Sequence, residues 1–421
     1  MKVGIIGSGG REHAICHALN NSKKVDYIYC FPGNAGTAQI AENISLDLEN
    51  FHVLKDFIIL QKIDLIVVGP EKPLVDGIVD FLEAHNIKVF GPNKIASQLE
   101  GSKIFTKNLC KKYSIPTAKF GIFQNTKDAT KFIKDTKYPL VVKADGLASG
   151  KGVYICENIG DAQMAIKEIF GGKFGDAKNI LIEEFLEGEE MSYFIITDGK
   201  TIKRFDTAQD HKRVLEGDKG KNTGGMGAYS PSRLINKELD EKIITRIINP
   251  TIKGLKEIGT NYKGFLYAGL MIVNNEPYLI EYNVRMGDPE CQTILPKLKS
   301  DLLEIFLLCC DEKLNSIEIE WDSKKSLCVV LCSKGYPDKF KKDILIENIN
   351  KTKFNKDVYC YHASTIVIKK QIFAVGGRVL NFVCLSASFL EARVKIINSI
   401  NVLDWDSGFY RKDIGFRVID E

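Results

Sequence analysis

The chain has 421 residues, 44% hydrophobic and 27% charged, a composition that fits a globular protein of about two to four domains. Its 58 basic and 54 acidic residues leave a net charge of +4 with lysine scattered along the chain, which speaks against a nucleic-acid binder. There is no C-x-x-C pair among the cysteines, no apolar run near the roughly 18 residues of a membrane helix, and a strand where a signal peptide would stand, so a cytoplasmic protein with reduced thiols and no membrane partner is expected.

Val3-Gly-Ile-Ile6 reads as a strand, followed by Gly7-Ser-Gly-Gly-Arg-Glu-His13 and a helical segment. Strand, glycine turn and helix open a doubly wound α/β unit. Further strands at 27–30, 64–68 and 88–90 predict a small parallel sheet. A dinucleotide fingerprint needs a third glycine where Glu12 stands, and the second strand ends in Cys30-Phe31-Pro32 with no acid for a ribose, so an NAD site is disfavoured. Arg11, at the start of the helix, could instead join its guanidinium to the free helical amides and hold a phosphomonoester. A surface ion pair with Glu12 is the competing reading. Open α/β sheets bind ligands at the carboxyl ends of their strands, so Glu71, in the loop 69–74, is expected to meet a polar ligand such as a ribose hydroxyl.

Ser102 is a predicted N-cap for a helix over 104–112; a strand at 118–122 and a helix at 127–135 follow. Pro139-Leu-Val-Val142 then leads into Lys143-Ala-Asp-Gly-Leu-Ala-Ser-Gly-Lys-Gly-Val153. This is not a P-loop. The spacing from Gly146 to Gly150 is one residue short, Gly152 stands where a hydroxyl residue should follow Lys151, and 153–156 reads as a strand. A strand–loop–strand flap over a nucleotide fits better, since backbone amides and ammonium groups both stabilise anionic oxygens; a solvated glycine-rich hairpin is the alternative. A helix at 161–170, an apolar strand running into an acidic segment that ends at Glu190, and a strand at 193–196 come next. Residues 262–281 hold two strands joined around Asn274-Asn275, the second ending in Leu279-Ile-Glu-Tyr-Asn-Val-Arg285. Alternation puts Glu281 and Asn283 on one face, with Arg285 continuing it if the strand persists. Hard oxygen ligands suit magnesium bridging phosphates, and an arginine beside them suits a transferring phosphoryl group. A salt-bridged edge strand is the competing account. Towards the C-terminus, 326–332 is a buried strand, 376–380 a turn and strand, and 389–403 an amphipathic helix.

Several blocks now combine. Gly7-Ser-Gly-Gly-Arg-Glu-His-Ala14, Pro32-Gly-Asn-Ala-Gly-Thr37, Leu99-Glu-Gly-Ser-Lys103, the flap segment, Ile182-Glu-Glu-Phe-Leu-Glu-Gly-Glu-Glu190 and Gln209-Asp-His-Lys-Arg213 occur in that order. They continue with Asn222-Thr-Gly-Gly-Met-Gly-Ala-Tyr-Ser-Pro231, Gly264-Phe-Leu-Tyr-Ala-Gly-Leu270, Met286-Gly-Asp-Pro-Glu290 and Arg411-Lys-Asp-Ile-Gly415. From end to end the chain resembles the ATP-grasp superfamily and, within it, the glycinamide ribonucleotide synthetases.

The resemblance implies an α/β protein in three parts: an N-terminal doubly wound parallel-sheet domain over 1–101, an ATP-grasp domain over 102–312 with its flap subdomain at about 117–190, and a small C-terminal α+β domain over 325–421. It implies ligation of glycine to 5-phosphoribosylamine with ATP, through a glycyl phosphate, giving glycinamide ribonucleotide, ADP and phosphate in purine biosynthesis. Another ATP-grasp carboxylate–amine ligase of purine metabolism is the alternative. The implied nucleotide contacts are Lys103 and Lys143, the flap residues Gly150, Lys151 and Gly152, an adenine hinge at Glu183, Glu184 and Phe185, and Glu190 on the ribose. Glu281 and Asn283 would bind Mg2+, with Mn2+ as a substitute, and Arg285 and Asp210 would be catalytic. Thr223, Gly224, Gly225, Asp288 and Glu290 would line the glycine and phosphoribosylamine pockets, with Gly10, Arg11 and Glu71 reaching in. Partners would be small molecules only, and the chain a monomer with no second purine enzyme fused to it. There are two departures. The strand 265–272 lacks the second metal-binding acid of many superfamily members, and Ser364 stands where a glycine is expected, with no functional reading.

Overall fold

The structure is a computed structural model that describes residues 1–147, 152–175 and 178–419. Strands β1 (Lys2–Gly7), β2 (Tyr27–Pro32), β3 (Glu42–Asn43), β4 (Leu65–Val68) and β5 (Val89–Phe90) form the predicted parallel sheet, in the order β3-β2-β1-β4-β5. Val3, Ile5, Ile6, Leu65 and Ile66 are all buried, as expected of strands covered on both faces. Helices α1 (Gly10–Asn20), α2 (Phe51–Gln61), α3 (Glu71–Asp76), α4 (Ile78–Glu83) and α5 (Gln98–Gly101) connect them or follow. The Glu12 that breaks the dinucleotide pattern serves the local backbone: its Oε2 accepts the Gly9 amide at 2.6 Å and ties down the start of α1.

Helix α6 (Lys103–Tyr113) starts where the sequence places it, because Ser102 Oγ accepts the Phe105 amide at 3.1 Å. A four-stranded antiparallel sheet follows, built from β6 (Phe120–Phe123), β7 (Leu140–Ala144), β8 (Val153–Cys156) and β9 (Ile180–Glu184) in the order β6-β9-β7-β8. One face packs on α7 (Thr126–Lys134) and α8 (Ile159–Phe170) through Leu140, Val142, Ile180 and Ile182. Strand alternation turns Lys143 and Glu183 to the other face. Helix α8 begins two residues ahead of the expected 161, because Asn158 takes the cap and accepts the Asp161 amide at 3.0 Å. The β7–β8 hairpin closes with Ala144 donating to the Gly152 carbonyl at 2.8 Å. Its predicted tip residues Gly150 and Lys151 lie outside the described residues.

Next in the chain come β10 (Glu189–Thr197), β11 (Ile202–Asp210), β12 (Arg213–Leu215), β13 (Lys219–Asn222), β14 (Gly227–Ser230), α9 (Lys237–Ile243), α10 (Asn249–Glu257), β15 (Gly264–Val273), β16 (Glu276–Asn283), α11 (Glu290–Ile294) and α12 (Leu302–Cys310). The last part contributes β17 (Lys325–Ser333), β18 (Ile344–Leu345), β19 (Val358–His362), β20 (Thr365–Ile368), β21 (Gln371–Ala374), β22 (Arg378–Ser386), α13 (Phe389–Leu403), β23 (Gly408–Phe409) and α14 (Phe416–Ile419). One antiparallel sheet crosses both parts in the order β16-β15-β10-β11-β14-β17-β22-β19, with β23 also on β17. Strand β14 is the bridge: it pairs with β11 at Asp210↔Ala228 and with β17 at Gly227↔Val329. Asn274 and Asn275 make the β15–β16 turn at φ 50° and 61°, a left-handed geometry that asparagine tolerates. No described helix is long and apolar enough to cross a membrane.

Candidate functional site

A cleft lies between the start of α6, the flap hairpin and the end of β16. Glu71, Glu100, Lys103, Lys143, Gly152, Glu281, Asn283 and Arg285 all line it. Glu281 and Asn283 share the expected face of β16; the strand ends at Asn283, and Arg285 joins them in the cleft from the bend that follows. On β15 the residue opposite Glu281 is Gly269, and a Cβ there would stand 3.4 Å from Glu281 Cγ. Neither Glu281 nor Asn283 has a side-chain hydrogen-bonding partner among the described residues. A carboxylate and an amide oxygen side by side with no protein partner among the described residues fit a divalent ion. No cluster of three or more acids, histidines or cysteines that could hold a metal occurs among the described residues. An ion at this pair would complete its shell with phosphate oxygens and water.

The cationic wall is organised by acids. Lys107 and Lys143 both pair with Glu183, one on each carboxylate oxygen, and all three side chains are buried. Burial pushes the Glu183 carboxyl up, but the two ammoniums outweigh it and hold it below its ordinary value. Burial also lowers Lys103, partly offset by the Glu281 carboxylate. Lys103 Nζ donates to the Gly146 carbonyl at 2.9 Å, and Asp145 accepts from Ser102 Oγ at 3.2 Å and the Ile104 amide at 3.3 Å. The base of the flap is thus tied to the start of α6. Of the predicted hinge, Glu184 accepts the Lys119 amide at 2.8 Å and Phe185 follows β9, half-buried. Glu190, on β10, pairs with Lys212.

At the other end of the cleft, Arg285 reaches Glu100 at 2.6 Å and Glu71 at 3.3 Å. The second Glu100 oxygen accepts the Val284 amide at 2.8 Å. Burial raises the Glu100 carboxyl to about 7, against the pull of Arg285. Arg11 does pair with Glu12, at 2.6 Å, but the pair is buried and not on the surface, and Arg11 also donates to the Met286 carbonyl at 3.2 Å. Arg11, Gly69, Arg285 and Met286 line a smaller cavity that shares Arg285 with the main cleft.

The remaining predicted residues gather around the turn 286–290. The loop 223–225 packs on it: Gly225 has φ +112°, and a Cβ there would meet Pro289 Cδ at 2.5 Å and Asp210 Oδ1 at 2.8 Å. Thr223 Oγ1 accepts the Gly225 amide at 3.0 Å and donates to the Lys212 carbonyl at 2.8 Å. Asp210 Oδ1 is buried without a partner; burial, then the neighbouring Glu290, raise this carboxyl well above its ordinary value. Glu290 accepts from Tyr267 at 3.1 Å and Ser192 at 3.2 Å. Gly10 lies where a Cβ would press on the amides of Asn381 and Gln292, at 2.4 and 2.5 Å. Sequence reasoning left out Glu100, Lys107, Lys212 and Arg378. Three of these sit inside or beside motif blocks, but a lone charge in a loop or helix carries no periodic signal that would single it out.

Similarity to known proteins extends over the whole chain. Residues 1–100, 101–291 and 326–417 match the N, ATP-grasp (A) and C domains of phosphoribosylglycinamide synthetase. The phosphoribosylamine–glycine ligase of Brucella melitensis is 44% identical over 421 residues, covering 100% of this chain and 99% of its own. The crystal structure of the phosphoribosylamine–glycine ligase of Thermotoga maritima superposes with a TM-score of 0.84 at 32% identity, over 98% of this chain and 100% of that one. A biotin carboxylase domain from Hydrogenobacter thermophilus, solved with the magnesium salt of ADP, shares the fold at a TM-score of 0.71 and 16% identity, over 95% of this chain and 89% of that one. With all three domain matches in order and relatives aligned end to end, the chain belongs to the phosphoribosylglycinamide synthetase family, the ATP-dependent ligases that join glycine to 5-phosphoribosylamine in purine biosynthesis.

Proposed function

We propose that the cleft makes glycine an acyl donor by phosphorylating it. A glycine carboxylate oxygen attacks the γ-phosphorus of ATP; the new O–P bond forms as the bond to ADP breaks. The amine of 5-phosphoribosylamine then attacks the glycyl carbonyl carbon, and phosphate leaves with the C–O bond electrons. A carboxylate is a poor acyl donor and phosphate a good leaving group, so the two steps together avoid a barrier that direct amide formation would face. The observation that carries this reading is the convergence of Lys103, Lys143, Arg285, Glu281 and Asn283 on one cleft.

Lys103 and Lys143 orient the nucleotide phosphates, and Arg285 stabilises charge on the γ-phosphate as it transfers. Among the described residues Glu71, Glu100, Glu183 and Glu281 stand near the cations Lys103, Lys107, Lys143 and Arg285 and offset much of their positive charge. Glu281 and Asn283 would hold a magnesium ion, with manganese as a substitute, and such an ion supplies the missing neutralisation of phosphate oxygens. The backbone of Glu183, Glu184 and Phe185 reads the adenine edge, and Glu190 holds the ribose hydroxyls. The flap, with Gly150, Lys151 and Gly152, excludes water from the mixed anhydride. Arg11, Gly10 and Glu71 receive the phosphoribosyl group. Thr223, Gly224, Gly225, Asp288 and Glu290 surround the two amines. Asp210, whose buried Oδ1 has no protein partner among the described residues and lies against Gly225, takes the proton released as the amide forms. The chain is read as a monomer, and its free thiols fit a reducing cytosol.

Glycine carrying heavy oxygen in its carboxylate tests this scheme. One labelled oxygen should appear in inorganic phosphate for each glycinamide ribonucleotide formed. Product accumulating with unlabelled phosphate would overturn the anhydride. Nucleotide turnover that ignores glycine would favour a different carboxylate–amine ligase.

A further inference from the structure

We infer that Arg378, supplied by the C-terminal part of the chain, is a positioning residue that holds the glycine and phosphoribosylamine pocket in shape. The inference rests on the reading above, in which 223–225 and the turn at Asp288 line that pocket.

Arg378 opens β22 and is largely buried. Its Nη1 donates to the Asp288 carbonyl at 2.6 Å and to the Gly224 carbonyl. Its Nη2 lies 3.3 Å from Asp288 Oδ1. One guanidinium thus bridges the two loops that form the pocket, which come from distant parts of the sequence. Tyr336, from the same part of the chain, accepts the Gly224 amide on its hydroxyl at 2.9 Å, so both backbone groups of Gly224 are held from one side. The fit is close: a Cβ on Gly224 would stand 3.0 Å from the Arg378 Cζ.

Asp288 shows why the arginine matters beyond packing. Its Oδ1 also accepts from Gln292 Nε2 at 2.8 Å, and its Oδ2 accepts the Arg11 amide at 3.2 Å, at the start of α1. Burial pushes this carboxyl up, but Arg378 and then Arg11 more than offset it and hold it below its ordinary value. Protein donors therefore occupy both oxygens. Asp288 acts as the junction of the N-terminal, central and C-terminal parts at the wall of the pocket. A planar guanidinium can reach two carbonyls and a carboxylate at once; an ammonium cannot reproduce that fork. In Arg378→Gln, the 223–225 loop loses its link to the Asp288 turn, while the nucleotide cleft keeps every contact described for it.

Steady-state kinetics of Arg378→Gln and Arg378→Lys test this. The expected result is a KM for glycine and for 5-phosphoribosylamine raised at least tenfold in Arg378→Gln and less in Arg378→Lys, with the KM for ATP within twofold of the parent. A parallel rise in all three KM values, or no rise in any, overturns the inference. Should Arg378→Gln fail to fold, Tyr336→Phe reads the same loop through the Gly224 amide. A rise of about threefold for the small substrates alone supports the inference, and unchanged constants refute it. Glu290→Gln separates this idea from the pocket assignment. If Glu290→Gln leaves both small-substrate constants untouched, the pocket itself is misplaced; if only the Arg378 and Tyr336 variants are silent, the positioning role alone fails.

Discussion

Glu183→Gln is the most informative perturbation, because the cost can be worked from the ion pairs. The carboxylate neutralises two ammoniums at once, and the Lys107 and Lys143 side chains are only 3% and 7% exposed. Glutamine keeps the shape but leaves both lysines without the charge that compensated their burial. Removing one partner of a buried pair destabilises by about 3–5 kcal/mol. Each kcal/mol moves the melting temperature of a domain of about 150–250 residues by about 2–4 °C, so a fall on the order of 10 °C is expected at neutral pH. The pH dependence gives a sharper check. Burial already lowers Lys107 in the parent, and loss of Glu183 deepens that lowering. A lysine lowered by folding binds fewer protons in the native than in the unfolded chain, so stability rises with pH across the interval between the two values. The deficit of the variant should shrink as pH rises from neutral towards the unfolded lysine value of about 10.4. Differential scanning calorimetry of parent and variant across that range measures it. A melting temperature within about 2 °C of the parent at neutral pH, or a deficit that widens with alkalinity, would show that the triad is not held together as described.

Glu281→Gln should separate activity from folding. The side chain has no hydrogen-bonding partner among the described residues, so stability should change by no more than about 0.5 kcal/mol. Loss of the one carboxylate in the Glu281–Asn283 pair should lower kcat on the order of 100-fold, equivalent to about 2.7 kcal/mol of transition-state stabilisation; full activity with excess magnesium would remove Glu281 from the metal site. Glu100→Gln should alter the pH profile of stability. Burial raises the parent carboxyl to about 7, so its contribution is fully present below the unfolded carboxylate value and is lost as pH rises through about 7. The variant should lack that loss, and urea midpoints that fall in parallel for both proteins between weakly acidic and neutral pH would contradict the assignment.

Local chemistry was legible where a few neighbouring residues decide the outcome. Ser102 caps α6 because its hydroxyl lies within reach of the Phe105 amide wherever the chain goes next. The asparagine pair turns β15 into β16, and alternation on β16 sends Glu281 and Asn283 the same way. The start of α8 was less legible: Asn158 is its cap, and Asp161, with which the expected helix opens, lies in the first turn with its amide on the Asn158 side chain. Strand β11 gave little signal, because Lys203, Arg204, Asp206 and Asp210 interrupt its apolar positions; its place in the sheet comes from neighbours β10 and β14.

The sequence by itself determined the order of the motif blocks, the parallel opening sheet, the flap hairpin and the oxygen pair on β16, since each depends on spacing within a short segment. Only the tertiary structure decided that Glu183 neutralises both Lys107 and Lys143, that Arg11 is buried with Glu12, and that Arg378 reaches across to Gly224 and Asp288. Those contacts join side chains by distance and burial in space, and the spacing of residues along a chain does not specify which buried charge will meet which partner once the loops between them have closed.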